Sequence, residues 1–367
     1  MSKKILLVLL VILCGVLLTP LFQSVNKKTE EIGSTTDSKR FELFNGTSPT
    51  LLPTPPLPPQ HVLTNEYHVF QTFNNCGPAA LSMGLSYFDI KVSQEDLGNE
   101  LRPYKATPGN NDDKSVTLEE LGKKAEEYGL LYFHRPNGTV EMLEKIIAAG
   151  VPVITRTWLH PDEDIGHYRV VKGYDRNQRV IIQDDSYEGA NLSYDYESFN
   201  GMWEKFNYEY LVIFPVEMES QVEEIIGEDL SAEVAWQNAR LHAENLLIKN
   251  PDDIYARFNL SVALYHLGKF EESISEFESV ESKLPFRTLW YQIEPIDAYY
   301  QVQDFEQVFT ITQNLFENGN RAYAEAYVIR GKSYEAMGDT ENARAEYEKA
   351  LLYNKNLEGI HQLMQAL

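Results

Sequence analysis

Residues 71–88 read QTFNNCGPAALSMGLSYF, and this stretch decides how the rest is organised. Asn74 and Asn75 are suited to cap a helix, and Pro78 is tolerated in a first helical turn because the N–H it lacks would be unpaired there. Leu81, Leu85 and Phe88 then recur at helical spacing. Cys76 therefore falls in the first turn, where the positive end of the helix dipole favours a thiolate and lowers the thiol pKa. The chain has only one other cysteine, Cys14, so neither a disulfide framework nor a cysteine-rich zinc site is available.

Downstream of this helix, VSQEDLGNEL (92–101) predicts a short helix opened by Ser93. SVTLEELGKKAEEYG (115–129) carries a Thr117/Glu120 capping box, and TVEMLEKIIAAG (139–150) ends at Gly150. Strand-like runs follow: VPVITRTW (151–158), HYRVVKGYD (167–175), RVIIQD (179–184) and YEYLVIFP (208–215), with a hairpin turn after Asp175. Helices first and an antiparallel sheet afterwards predict an α+β domain. His167 opens a strand after the loop LHPDEDIG, and the neighbouring strand ends in Asp184 and Asp185. A cysteine at a helix start, a histidine on a strand and a carboxylate on the adjacent strand supply a nucleophile, a base and an orienting group.

CGPAALSMGLSYF, GHYRVVKGYD and VIIQDD resemble the papain-like cysteine peptidases that process double-glycine leader peptides of bacteriocins, and their stand-alone relatives, in cysteine peptidase family thirty-nine. The resemblance covers about 66–215. It implies a papain-like fold, with Cys76 as nucleophile, His167 as base, Asp184 as orienting carboxylate and Gln71 as an oxyanion donor. Gln71 stands five residues before Cys76, where papain-like enzymes usually keep six. Asp185 stands where the family often has proline, which leaves Asp184 or Asp185 open as the third member. No transporter spans or phosphate-binding loop accompany the domain, so a double-glycine substrate is not implied. No metal or organic cofactor is needed.

The C-terminal part repeats. In 254–285, which also carries Leu260 and Phe270, Leu264, Gly268, Ser273, Phe277 and Val280 stand at offsets matched in 324–355, beside Gly331, by Tyr334, Gly338, Ala343, Tyr347 and Ala350. A divergent copy lies between them, and Pro285 follows Pro251 by 34 residues. That period resembles the helix–turn–helix tetratricopeptide repeat, so an all-α solenoid binding a protein or peptide partner is implied.

The ends of the chain complete the outline. Lys3 and Lys4 precede an apolar run from Ile5 to Leu18 that continues to Phe22, so 1–22 predicts a signal anchor or signal peptide. Residues 23–65 predict a polar, then proline-rich linker, 66–217 the peptidase-like domain, 218–230 an acidic connector and 231–367 the repeats. The expectation is an extracytoplasmic protein on a single-pass membrane anchor, or a secreted one if the leader is removed. A net charge of −23 excludes nucleic acid as a natural partner. The function expected is a cysteine peptidase acting on a peptide or protein. A silent peptidase-like scaffold, or an acyltransferase with the same triad, is the alternative.

Overall fold

The computed structural model describes residues 57–102, 116–357 and 359–367, and Pro56–Leu367 form one compact unit. The helices α1 (Cys76–Ser86), α2 (Gln94–Leu101) and α3 (Leu118–Glu126) come first, apart from a short strand β1 (Gln60–Val62). Ser93 caps α2 by accepting from Asp96 N, and Thr117 with Glu120 forms the expected capping box of α3. Asn75 precedes α1 without a side-chain cap; its amide donates to the Gln94 carbonyl and side chain instead.

Strands β2 (Leu131–Arg135), β3 (Val153–Trp158), β4 (Gly166–Asp175), β5 (Val180–Asp185), β6 (Gly189–Asp195) and β7 (Tyr210–Phe214) build an antiparallel sheet in the order β2-β7-β3-β4-β5-β6. Helix α4 (Val140–Ala148) precedes β3, and α5 (Tyr196–Trp203) follows β6. β3 pairs with the first half of β4, up to Val171, and β1 takes over beside Gly173–Asp175. A bulge falls between Val171 and Gly173 where β4 meets β5. One face of the sheet, with Ile154, Tyr168, Val170, Leu211 and Ile213, packs under α1–α3. The other, with Val153, Val171, Val212 and Phe214, packs under α4 and α5. The acidic stretch expected to be a connector instead contains α6 (Glu219–Ile226), whose Val222 and Ile226 join that second layer.

Edge strand β2 was not foreseen, because all five of its residues are only partly buried and it carries His134 and Arg135. His134 sits between two carboxylates, 3.0 Å from Glu209 and 3.5 Å from Glu119. Burial opposes its protonation, but the bonds to Glu119 and Glu209 outweigh this and raise its pKa to about 9. A histidine raised in the folded state stabilises fully below its unfolded value near 6.5, and that stabilisation is lost as pH climbs through about 9. The contribution of His134 to the urea-unfolding free energy is therefore expected to fall by about 3 kcal/mol between pH 6 and pH 10. His134→Gln should flatten that slope.

The repeats comprise α7 (Ala232–Lys249), α8 (Ile254–His266), α9 (Phe270–Glu278), the short α10 (Thr288–Tyr291), α11 (Glu294–Gln301), α12 (Phe305–Glu317), α13 (Ala324–Ala336), α14 (Thr340–Tyr353) and α15 (Ile360–Ala366). Gly331 lets α13 meet α14: a Cβ there would stand 2.4 Å from the Tyr347 ring. Gly268 and Gly338 end the first helix of their repeats at positive φ, and Gln303 takes the same place, at φ 63°, in the divergent copy. A side chain in that left-handed region is strained, so Gln303→Gly is expected to raise stability by about 0.5–1 kcal/mol in urea titration.

The two parts share a core. Trp158, Met202 and Phe206 of the sheet region pack with Trp236, Phe258, Trp290, Tyr291 and Ile296 of the repeats. The loop between β3 and β4 is held from the repeats as well, through Arg287 Nη1 at 2.6 Å from Asp164 Oδ1.

The expected membrane placement is corrected. Among the described residues no helix is long and apolar enough to cross a membrane, so a single-pass anchor in the cell membrane is not supported. The apolar run at 1–22 and most of the proline-rich linker lie outside the described residues.

Candidate active site

Cys76 is the first residue of α1 and is partly exposed. The following turn is fixed by close packing: a Cβ on Gly77 would lie 2.5 Å from Val116 Cγ2 and 3.5 Å from the Tyr168 ring. Gly77→Ala is thus expected to push Val116 and the start of β4 away from α1, at a cost of about 1–3 kcal/mol read from the urea midpoint. The approach to Cys76 is braced by Gln94, which donates to Phe70 O at 2.7 Å and accepts from Thr72 N at 2.9 Å.

His167 and Arg169 lie on one side of β4, and Tyr168 lies on the other, against Gly77 and within the field of Cys76. The first residues of β4 therefore meet the first turn of α1. His167 Nε2 is 2.9 Å from Asp185 Oδ1, and both side chains are almost fully buried. The same oxygen accepts from Tyr187 N at 2.7 Å and Glu188 N at 3.0 Å. Burial alone would raise the Asp185 carboxyl, but the His167 bond, the charges of His167 and Arg169 and the Tyr187 N–H hold it well below the usual carboxylate range. Burial lowers the His167 pKa below 6.5; Asp185 opposes this, and Arg169 adds to it.

The carboxylate beside His167 is thus Asp185, not Asp184. Register explains the exchange: Asp185 pairs with Arg169 and so shares the His167 face, whereas Asp184 pairs with Val170 on the opposite face. There Asp184 Oδ1 lies 2.7 Å from Lys172 Nζ and accepts from Asn191 N. Gln71 reaches the turn that follows: its Oε1 accepts from Ser186 Oγ at 2.8 Å, and its N–H donates to Ser186 O at 2.7 Å. His68 Nε2, 2.9 Å from Asp185 O, ties the same segment to the end of β5. His68, Gln94 and Ser186 were missed in the sequence, where no spacing signals them. Arg169 had a signal, two residues beyond His167 on a strand, hence on the same face. Among the described residues no group of three or more His, Cys, Asp or Glu is placed to hold a metal ion.

Residues 56–211 match the Peptidase_C39 like family. Residues 324–357 match the tetratricopeptide repeat. An α+β region similar to the Peptidase_C39 like family thus precedes a helical region that matches the tetratricopeptide repeat. Among solved structures, one similar chain is the peptidase domain of Streptococcus ComA, a bi-functional ABC transporter involved in a quorum sensing pathway. It is 17% identical over 40% of this chain and 96% of that one, with a TM-score of 0.33. Another is a double glycine motif protease from an AMS/PCAT transporter in complex with the leader peptide, 19% identical over 41% and 91% respectively, with a TM-score of 0.30. No curated protein matches the chain.

Proposed function

We propose that the protein is a cysteine peptidase with Cys76 as nucleophile, His167 as general base and Asp185 as the group that orients the imidazole. The observation that supports this reading is the buried His167–Asp185 pair at 2.9 Å on β4, beside Tyr168, the residue of that strand that meets the first turn of the Cys76 helix from its other face. Because Nε2 faces Asp185, Nδ1 is the nitrogen left for the thiol.

In this reading Nδ1 takes the Cys76 proton as sulfur attacks the peptide carbonyl carbon. The oxyanion is met by the Cys76 backbone N–H, at the positive end of the α1 dipole. In this reading Gln71, whose Oε1 accepts from Ser186 Oγ, offers its Nε2 as the second donor. Collapse breaks the C–N bond, His167 returns its proton to the departing amine, and water releases the acyl group by the reverse sequence. The repeats recruit a protein partner or the substrate itself, with one side already committed to the sheet region through the shared core.

The test is incubation of the full-length chain with a mixed peptide library, with new termini read by mass spectrometry. Cleavage is expected with wild type and absent with Cys76→Ala. Peptides joined through new amide bonds would indicate acyl transfer. A library left intact, together with a Cys76 inert to acylating probes, would leave only a peptidase-like scaffold and overturn the proposal.

A further inference from the structure

The Asp185 carboxylate has two claimants. Oδ1 serves His167 and two backbone N–H groups, while Oδ2 lies 3.1 Å from Nε of Arg169, a fully buried side chain. The rest of the guanidinium is spent on the end of β3: Nη1 donates to Thr157 Oγ1 and, at 2.8 Å, to Trp158 O, and Nη2 donates to Leu159 O at 2.5 Å. Nη2 also faces Glu188 Oε2 at 3.7 Å. Nothing in the proposed acyl chemistry needs a buried arginine there.

We propose that Arg169 is a positioning residue that, by sharing the Asp185 carboxylate, holds His167 as an uncharged base, so that the Cys76 thiol loses its proton only as it attacks. The inference takes its catalytic meaning from the peptidase reading, but the charge state of His167 can be measured without it. Buried charge is what decides the protonation state here. Asp185 from β5 and Arg169 from β4 already neutralise each other next to the imidazole. An imidazolium would be a second buried cation, 3% exposed, beside Arg169. The groups that could answer it are few. Glu188, in the turn after β5, is 26% exposed and is shared with Arg169 and the Tyr194 hydroxyl. Thr157, across β3, carries no charge, and His68 from the segment before α1 bonds the Asp185 carbonyl. Cys76 on α1 is the thiol whose proton is at issue. A buried ion without its own counter-charge is strongly disfavoured, so the proton stays off His167. Remove the arginine, and Asp185 becomes a lone buried anion for which imidazolium is the natural partner.

The experiment is an NMR titration of full-length protein carrying carbon-13-labelled histidine, with the His167 signal identified by its loss in His167→Ala. Wild-type His167 is expected to titrate below 6.5. Arg169→Met should move it upward by about one to three pH units, the range for gaining or losing one charge at such distances. Arg169→Lys, which keeps the charge but not the fork, should stay near wild type. A purely structural arginine would give equal shifts in Lys and Met, or none in either, and either result overturns the proposal. So does a wild-type His167 that titrates above 6.5. If Arg169→Met does not fold, the wild-type and Arg169→Lys titrations still decide. Alkylation of Cys76 in the same samples reports on the peptidase reading separately: a rate indifferent to His167→Ala would sink that reading and leave the titration result standing.

Discussion

Asp185→Asn is expected to lower peptide turnover by about 10³–10⁴-fold, whereas Asp184→Asn leaves turnover within a few fold of wild type. Asparagine at 185 removes the charge that answers the imidazolium once Nδ1 has taken the thiol proton, and it offers only one oxygen where His167 and Arg169 each face one. Asp184 has no such role, but its loss strands Lys172, which is 2% exposed and ion-paired to it at 2.7 Å. Breaking one side of a buried pair costs about 3–5 kcal/mol, so Asp184→Asn should unfold at markedly lower urea concentration while its folded fraction remains active. Turnover assayed well below each variant's unfolding midpoint, set beside the urea curves, separates the two. If Asp184→Asn were the inactive variant and Asp185→Asn the active one, the assignment of the orienting carboxylate would be wrong.

The second large effect concerns the seam between the two parts. Trp158→Ala is expected to cost about 3–5 kcal/mol and to lower the stability of sheet and repeats together. Trp158 is 1% exposed, with its ring 5.0 Å from Phe206 and 5.9 Å from Tyr291 of the repeats, both edge-on. Removing it opens a cavity in a cluster that both parts line. Far-ultraviolet circular dichroism, dominated by the repeat helices, and a label placed on the sheet should then report one coincident transition. Two transitions, with the repeats indifferent to Trp158→Ala, would show that the shared core does not couple them.

Much of this was legible in the sequence where a local rule governs. Ser93, Thr117 and Glu120 cap helices by contacts within a few residues, and β3, β4, β5 and β7 are each built around β-branched or aromatic residues, so each was readable. The repeat was readable because Gly268 and Gly338 recur with the period, and the copy with Gln303 was harder to see for want of that glycine. β2 and β6 escaped because an edge strand exposes its side chains and gains its stability from pairing partners distant in sequence. The choice between Asp184 and Asp185 was beyond the sequence for a related reason. The two are adjacent and chemically identical, and only the cross-strand register, bulge included, decides which one faces His167. The shared core was hidden likewise, since no spacing in the sequence links Trp158 of the sheet with Trp290 and Tyr291 of the repeats.

The central claim is that His167 activates Cys76, and the direct measurement is the second-order rate at which a peptidyl acyloxymethyl ketone labels Cys76, followed from pH 4 to pH 9. The account requires a wild-type rate that rises through an apparent pKa below 6.5, as His167 sheds its proton, and that falls by about 10²–10⁴-fold in His167→Ala. Labelling of His167→Ala at the wild-type rate, with the same pH profile, would contradict it.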